Sequence, residues 1–228
     1  MLINVPAREI HAKIVYYGPG LGGKTTNLLH IHGRLPETAR GRMISIATEN
    51  ERTLFFDFLP IDLGQVRGFR VRFHLYTVPG QGYYAASRRL ILRDVDGLVF
   101  VADSDRRRLL ENLESFDDLL RNLRQERLVP ERVPLVMQWN KRDVRGAVPT
   151  AHLEALLNMY RAPSFESVAT QGHGVVETLK ACCGGVLRSL ENGQTARAAA
   201  PSPARAAPPV EPRPHPPHPA SPLPAAQR

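Results

Sequence analysis

Cysteine is scarce in this sequence: two among 228 residues, side by side at Cys182-Cys183. Neighbouring cysteines rarely bridge and no C-x-x-C pair is present, so neither a disulfide framework nor a zinc site is encoded. Both read as packed, reduced thiols of a cytoplasmic protein. Long hydrophobic runs are also missing, and none approaches the ~18 residues of a membrane span. The opening Met1-Leu2-Ile3 has no signal-peptide or myristoylation pattern, and no cysteine stands near the C-terminus for prenylation. No stable membrane anchor is therefore expected.

Acidic residues are outnumbered, leaving a formal net charge of +8. Such a basic chain invites a nucleic-acid reading. The densest run, Arg106-Arg107-Arg108, has no aromatic residues interleaved and opens an expected surface helix, so it reads as a solvated face with no nucleic-acid partner. A weak attraction to an anionic membrane or an acidic protein stays open.

The last 36 residues hold 11 of the 20 prolines and only Val210 and Leu223 as large aliphatics. They cannot bury enough apolar surface to offset the entropy of ordering, so residues 193–228 are expected to be a disordered Pro/Ala-rich tail. The tail matches P-x-x-P at 209–212 and 214–217, which fits either a solubilising extension or a polyproline II ligand. Residues 1–192 remain for one domain of ordinary size.

Within that domain, short apolar runs alternate with helical patterns. Strands are expected at 13–17 (KIVYY), 52–63, 68–78, 98–102 (LVFVA), 135–139 and 165–168. Helices are expected at 25–33, 105–128, 150–159 and 174–190. Continuous apolar strands separated by helices imply an α/β fold: a mostly parallel sheet of six to seven strands with helices on both faces. Ligands of such sheets sit beyond the carboxyl ends of the strands, which directs attention to the segments just after 17, 76, 102, 139 and 168.

The first of these segments is Gly18-Pro19-Gly20-Leu21-Gly22-Gly23-Lys24-Thr25, matching G-x-x-x-x-G-K-[ST] between a strand and a helix. Glycines let successive N–H groups turn inward, and the helix adds its positive end to the same point. Gly18, Gly20, Gly22, Gly23 and Thr26 would line a phosphate cradle, Lys24 would reach the outer phosphates, and the Thr25 hydroxyl would bind Mg²⁺. Asn140-Lys141-Arg142-Asp143 follows the strand at 135–139, about 115 residues later. The pattern N-K-x-D suits guanine: Asp143 accepts from the N1–H and the 2-amino group, whereas adenine presents a bare acceptor at N1. Asn140 can bond N7 and tie neighbouring loops, and the Lys141 stem can lie along the base. After the last strand, the amide of Ala169 is either a donor to guanine O6 or part of a turn that needs a small residue.

With both ends of a nucleotide placed, the chain resembles the Ras-like small GTPases, and within them the bacterial MglA-type gliding-motility GTPases. The resemblance rests on the loop GPGLGGKTTN, the segments RTLFFDFLP at 52–60 and FHLYTVPGQ at 73–81, and Asn140-Lys141-Arg142-Asp143. It implies a GTP/GDP switch with Mg²⁺, monomeric by itself. Thr53 is similar to the switch I threonine that binds Mg²⁺, Gln81 to the residue that orients the attacking water, and Arg52 to an internal arginine finger. Gly80 is similar to the switch II glycine beside the γ-phosphate. An arginine against the departing phosphate is worth about 10³–10⁵ in rate. The resemblance also implies a homodimeric MglB-type activator of the roadblock fold, recruitment to a cell pole, and a setting in cell polarity and motility. One departure from the wider Ras pattern stands out: D-x-x-G reads Thr77-Val78-Pro79-Gly80, with no carboxylate beside Mg²⁺. Asp57 is the candidate replacement. Two other classes stay open: a scaffold that binds GTP without hydrolysing it, and a P-loop kinase or ATPase with another acceptor.

Overall fold

The computed structural model describes residues 1–46, 56–80 and 85–193. The expected switch residues Arg52, Thr53 and Gln81, and the tail from residue 194, lie outside them. Among the described residues eight strands form one sheet: β1 (Leu2–Asn4), β2 (Glu9–Tyr17), β3 (Ile44–Ile46), β4 (Phe56–Val66), β5 (Phe69–Thr77), β6 (Gly97–Asp103), β7 (Leu135–Asn140) and β8 (Ser164–Glu166). Their order is β3-β4-β5-β2-β6-β7-β8, parallel from β5 to β8, with β3 and β4 antiparallel. β1 pairs with the first residues of β2, which β6 leaves unpaired.

Local sequence explains the main strands. β6 is buried along its whole length, as a central parallel strand requires, and Leu98–Ala102 within it is an uninterrupted apolar run. β5 alternates, turning Val71, Phe73 and Leu75 inward and leaving Arg72, His74 and Tyr76 half-buried. It forms a hairpin with β4 through Arg67-Gly68, both at positive φ, the geometry that matches strand twist.

Helices cover both faces: α1 (Lys24–Arg34) and α5 (Val175–Glu191) on one, α2 (Ala85–Leu92), α3 (Leu109–Gln125) and α4 (Thr150–Leu157) on the other. The first core gathers Ile14, Tyr16, Phe73 and Val101 under Leu28, Ile31, Leu179 and Val186. The second gathers Tyr17, Phe100, Met137 and Trp139 under Leu92, Phe116, Leu119 and Leu153. Cys182 and Cys183 are both buried free thiols in the first core, and burial pushes the Cys183 thiol up to about 12. Three elements were not expected from sequence: β1, β3 and α2, each of eight residues or fewer. The long helix expected from 105 opens instead with a 3₁₀ turn, Arg106–Arg108, capped by the Asp105 carboxylate accepting from the Arg107 N–H. No described helix is long and apolar enough to cross a membrane.

Candidate functional site

The C-terminal ends of the parallel strands β5, β2, β6, β7 and β8 bring the singled-out segments to one rim of the sheet, where open α/β folds hold their ligands. The loop 18–23 links β2 to α1 and curls over that rim. Glycine is required where this loop meets other segments closely. A Cβ on Gly23, at φ 98°, would stand 2.2 Å from Asn140 Nδ2, and one on Gly80 would stand 2.3 Å from both Cα and N of Gly20. The Thr77–Gly80 segment therefore packs directly on the phosphate loop.

Lys24 is buried, its Nζ donating to the carbonyls of Gly18 (2.9 Å) and Pro19 (2.6 Å). Burial above all, then the nearby Arg88 guanidinium, lowers its pKa to about 7, with Asp57 acting the other way. Thr25 donates its hydroxyl to Asp57 Oδ2 at 2.6 Å. The same oxygen accepts from the Thr77 hydroxyl at 2.8 Å, Thr77 Oγ1 accepts from the Asp57 N–H at 2.9 Å, and Ser45 donates to Oδ1 at 2.7 Å. The sheet register causes this meeting: Ser45 pairs with Asp57, and Phe58 with Tyr76, so residues 45, 57 and 77 come side by side across three strands. A buried carboxylate thus stands beside the Thr25 hydroxyl, supplied from β4 rather than from the T-V-P-G segment. Hydroxyl plus carboxylate is a hard, all-oxygen donor pair, which fits Mg²⁺, an ion that keeps most of its shell for waters and phosphate oxygens.

The second cluster ties the loops together. Asn140, buried at the end of β7, donates to the Gly22 carbonyl at 2.8 Å. Its Oδ1 accepts from the Ala169 N–H and the Ser167 hydroxyl, each at 3.0 Å. Lys141 takes φ 63° and donates to the buried Asp103 carboxylate at 2.6 Å, which fixes the direction of its stem. Asp143 is exposed at the outer edge of this loop. Gly18, Gly20, Gly23, Lys24, Thr25, Thr26 and Gly80 line one cleft, whereas Asn140, Lys141, Asp143 and Ala169 stand beyond it.

Two of the arginines at this cleft reach its loops: Arg88, which the sequence reading passes over, and Arg108, which it assigns to a solvated helix face but which the fold turns onto the phosphate loop. Arg88 of α2 donates to Asp118 at 2.7 Å and sits 3.5 Å from the Pro79 carbonyl oxygen. Arg108 donates to the Gly20 carbonyl at 2.9 Å. Neither has a motif to mark it, since each meets its partner only through the fold.

The model of the ADP-ribosylation factor family matches residues 1–184. The chain belongs to that family of Ras-like GTPases. It is 51% identical over 191 residues to the mutual gliding-motility protein MglA of Myxococcus xanthus (strain DK1622), covering 84% of this chain and 98% of that one. It is also 25% identical over 128 residues to ADP-ribosylation factor-like protein 6 of Caenorhabditis elegans, covering 54% and 66%. Family membership makes the fold that of a P-loop GTPase, a family that generally binds GTP or GDP together with Mg²⁺.

Proposed function

We propose that this chain is a GTP/GDP switch that hydrolyses GTP to GDP and phosphate, slowly unless a partner completes its switches, and that it regulates cell polarity and gliding motility. The observation that carries the reading is the Asn140 side chain, bonded at once to the phosphate loop and to the Ala169 loop. It sets the spacing between the two grips a guanine nucleotide needs. The likeness to a gliding-motility protein supplies the biological setting.

In the proposed reaction, Lys24 leaves its loop carbonyls for the β- and γ-phosphates, the loop amides and the start of α1 receive the remaining oxygens, and Gly80 offers its N–H to the γ-phosphate. Asp143 holds the N1–H and 2-amino groups of guanine, the Lys141 stem lies along the ring, and Asn140 and the Ala169 amide close on N7 and O6. Mg²⁺, when bound, neutralises the charge shared by the β- and γ-oxygens. Thr25 and Thr53 would hold it, with the Asp57 carboxylate beside the Thr25 hydroxyl supplying negative charge there. Gln81 orients the attacking water, whose oxygen forms the new bond to the γ-phosphorus as the bond to the β,γ-bridging oxygen breaks. One water proton stays on the attacking oxygen and the other passes to a γ-oxygen or to solvent. Arg52 offsets the charge on the leaving group. A homodimeric roadblock-type partner similar to MglB would act by ordering the switches. The chain would itself be monomeric and cytoplasmic, reaching a pole or membrane surface through partners.

A second reading, a scaffold that binds GTP without cleaving it, draws on the neutral Thr77 beside the candidate Mg²⁺ oxygens. Single-turnover hydrolysis of GTP, alone and with an MglB-type partner, separates the two. Accelerated cleavage with the partner is expected, and absence of phosphate release in both reactions would leave the scaffold. Excess ATP is expected not to compete, and competition would return the site to the kinase and ATPase class.

A further inference from the structure

The three consecutive arginines of the 106–108 turn do not share one fate. Arg106 is exposed, and Arg107, 87% exposed, pairs with Asp105. Arg108 turns the other way. Its Nη2 donates to the Gly20 carbonyl at 2.9 Å, 88 residues away in sequence, while Nη1 is braced on Glu111 Oε1 at 2.8 Å, one helical turn further on. One guanidinium therefore serves two fixed acceptors, a task its planar fork suits and a lysine ammonium does not.

What it grips is the strained part of the phosphate loop. The residue after Gly20 is Leu21, which takes φ 60° and leaves its side chain 87% exposed. A left-handed conformation is disfavoured for leucine, and burial here offers nothing in return. A peptide unit is planar and trans, so the Leu21 N–H points opposite to the Gly20 carbonyl. Pinning that carbonyl on Arg108, at the start of α3, holds the Leu21 N–H pointing away from that guanidinium. A cationic donor on the carbonyl also polarises the unit and makes its N–H a stronger donor.

We propose that Arg108 is a positioning residue for nucleotide binding: its guanidinium holds the Gly20–Leu21 peptide in the strained orientation that aims the Leu21 N–H at the nucleotide's phosphates. This rests on the guanine-nucleotide reading above. Its guanidinium donors go to Gly20 and Glu111, so it acts through the loop.

The test measures affinity and dissociation rate of fluorescent GDP and GTP for the wild type, Arg108→Met and Arg108→Met combined with Leu21→Gly, each checked by thermal unfolding. Methionine keeps the aliphatic stem and removes the donors. The single variant is expected to bind about tenfold more weakly, the scale of one charge-assisted hydrogen bond. The double variant is expected to regain most of that loss, because glycine takes φ 60° without strain and needs no clamp. A role confined to anchoring α3 would lower the melting temperature and would not respond to Leu21→Gly. Wild-type affinity in Arg108→Met overturns the proposal, as does a loss that Leu21→Gly fails to recover. Arg108→Lys, unable to serve Gly20 and Glu111 together, carries the same comparison if the methionine variant does not fold. A wild-type protein that binds neither nucleotide overturns the functional reading itself, a result distinct from either.

Discussion

Guanine nucleotide added to the nucleotide-free chain at pH 8 is expected to take up close to one proton, and Lys24 is where it goes. With its Nζ buried against the Gly18 and Pro19 carbonyls and Arg88 nearby, the ammonium has a pKa of about 7. At pH 8 about one tenth of the lysines then carry the proton. Phosphate oxygens restore the charged form, bringing the pKa back to the ordinary lysine value of about 10.4 or above. Uptake should be about 0.9 proton at pH 8, about 0.5 at pH 7 and about 0.1 at pH 6. A terminal phosphate with its second pKa near 6 is already ionised at pH 8 and adds little there. Calorimetry in buffers of different ionisation enthalpy counts these protons from the slope of observed heat against buffer heat. Affinity should fall about tenfold per pH unit above 7 for the same reason. Without nucleotide the sign for folding is opposite: the folded chain has released a proton that the unfolded chain keeps, so stability rises with pH from about 7 to about 10.4. A flat slope of heat against buffer enthalpy at pH 8 would show that two carbonyls suffice to keep Lys24 charged, and would refute the argument.

Asp143→Asn should exchange guanine for xanthine preference, since an amide donates to a 2-carbonyl; unchanged GTP affinity would remove Asp143 as the selector. Asn140→Ala leaves the Gly22 carbonyl and the Ala169 N–H without partners, at a cost of about 3 kcal/mol, and should lower the melting temperature by roughly 6 to 12 °C. Thr77→Val keeps the shape but removes the hydroxyl that both donates to and accepts from Asp57. It should raise the Mg²⁺ concentration needed to slow GDP release by about tenfold, and an unchanged requirement would separate Asp57 from the metal. Deleting residues 193–228 should leave GTP hydrolysis unaltered; any partner that binds the full chain and not the shortened one would assign the tail a ligand role.

The sheet and its order of chemistry were legible because central parallel strands are buried on both faces and write their burial into the sequence: the apolar runs ending at Tyr17, Ala102 and Trp139 are β2, β6 and β7 within a residue or two at their carboxyl ends. β1, β3 and α2 were not, since three residues of strand or two turns of helix hold too few positions for a period to emerge. Phosphate and base motifs are contiguous, so they too stand in the sequence. What only the tertiary structure decided is which side chains far apart along the chain serve the same loop. Asp57 reaches Thr25 and Thr77 through strand register, and Arg108 leaves a run of identical neighbours to hold Gly20 because the end of β6 places the 106–108 turn beside the phosphate loop. A carboxylate or guanidinium carries no mark of its future partner in its own neighbourhood; short-range order writes itself locally, whereas hydrogen bonds across 32 or 88 residues exist only once the sheet has set their distance.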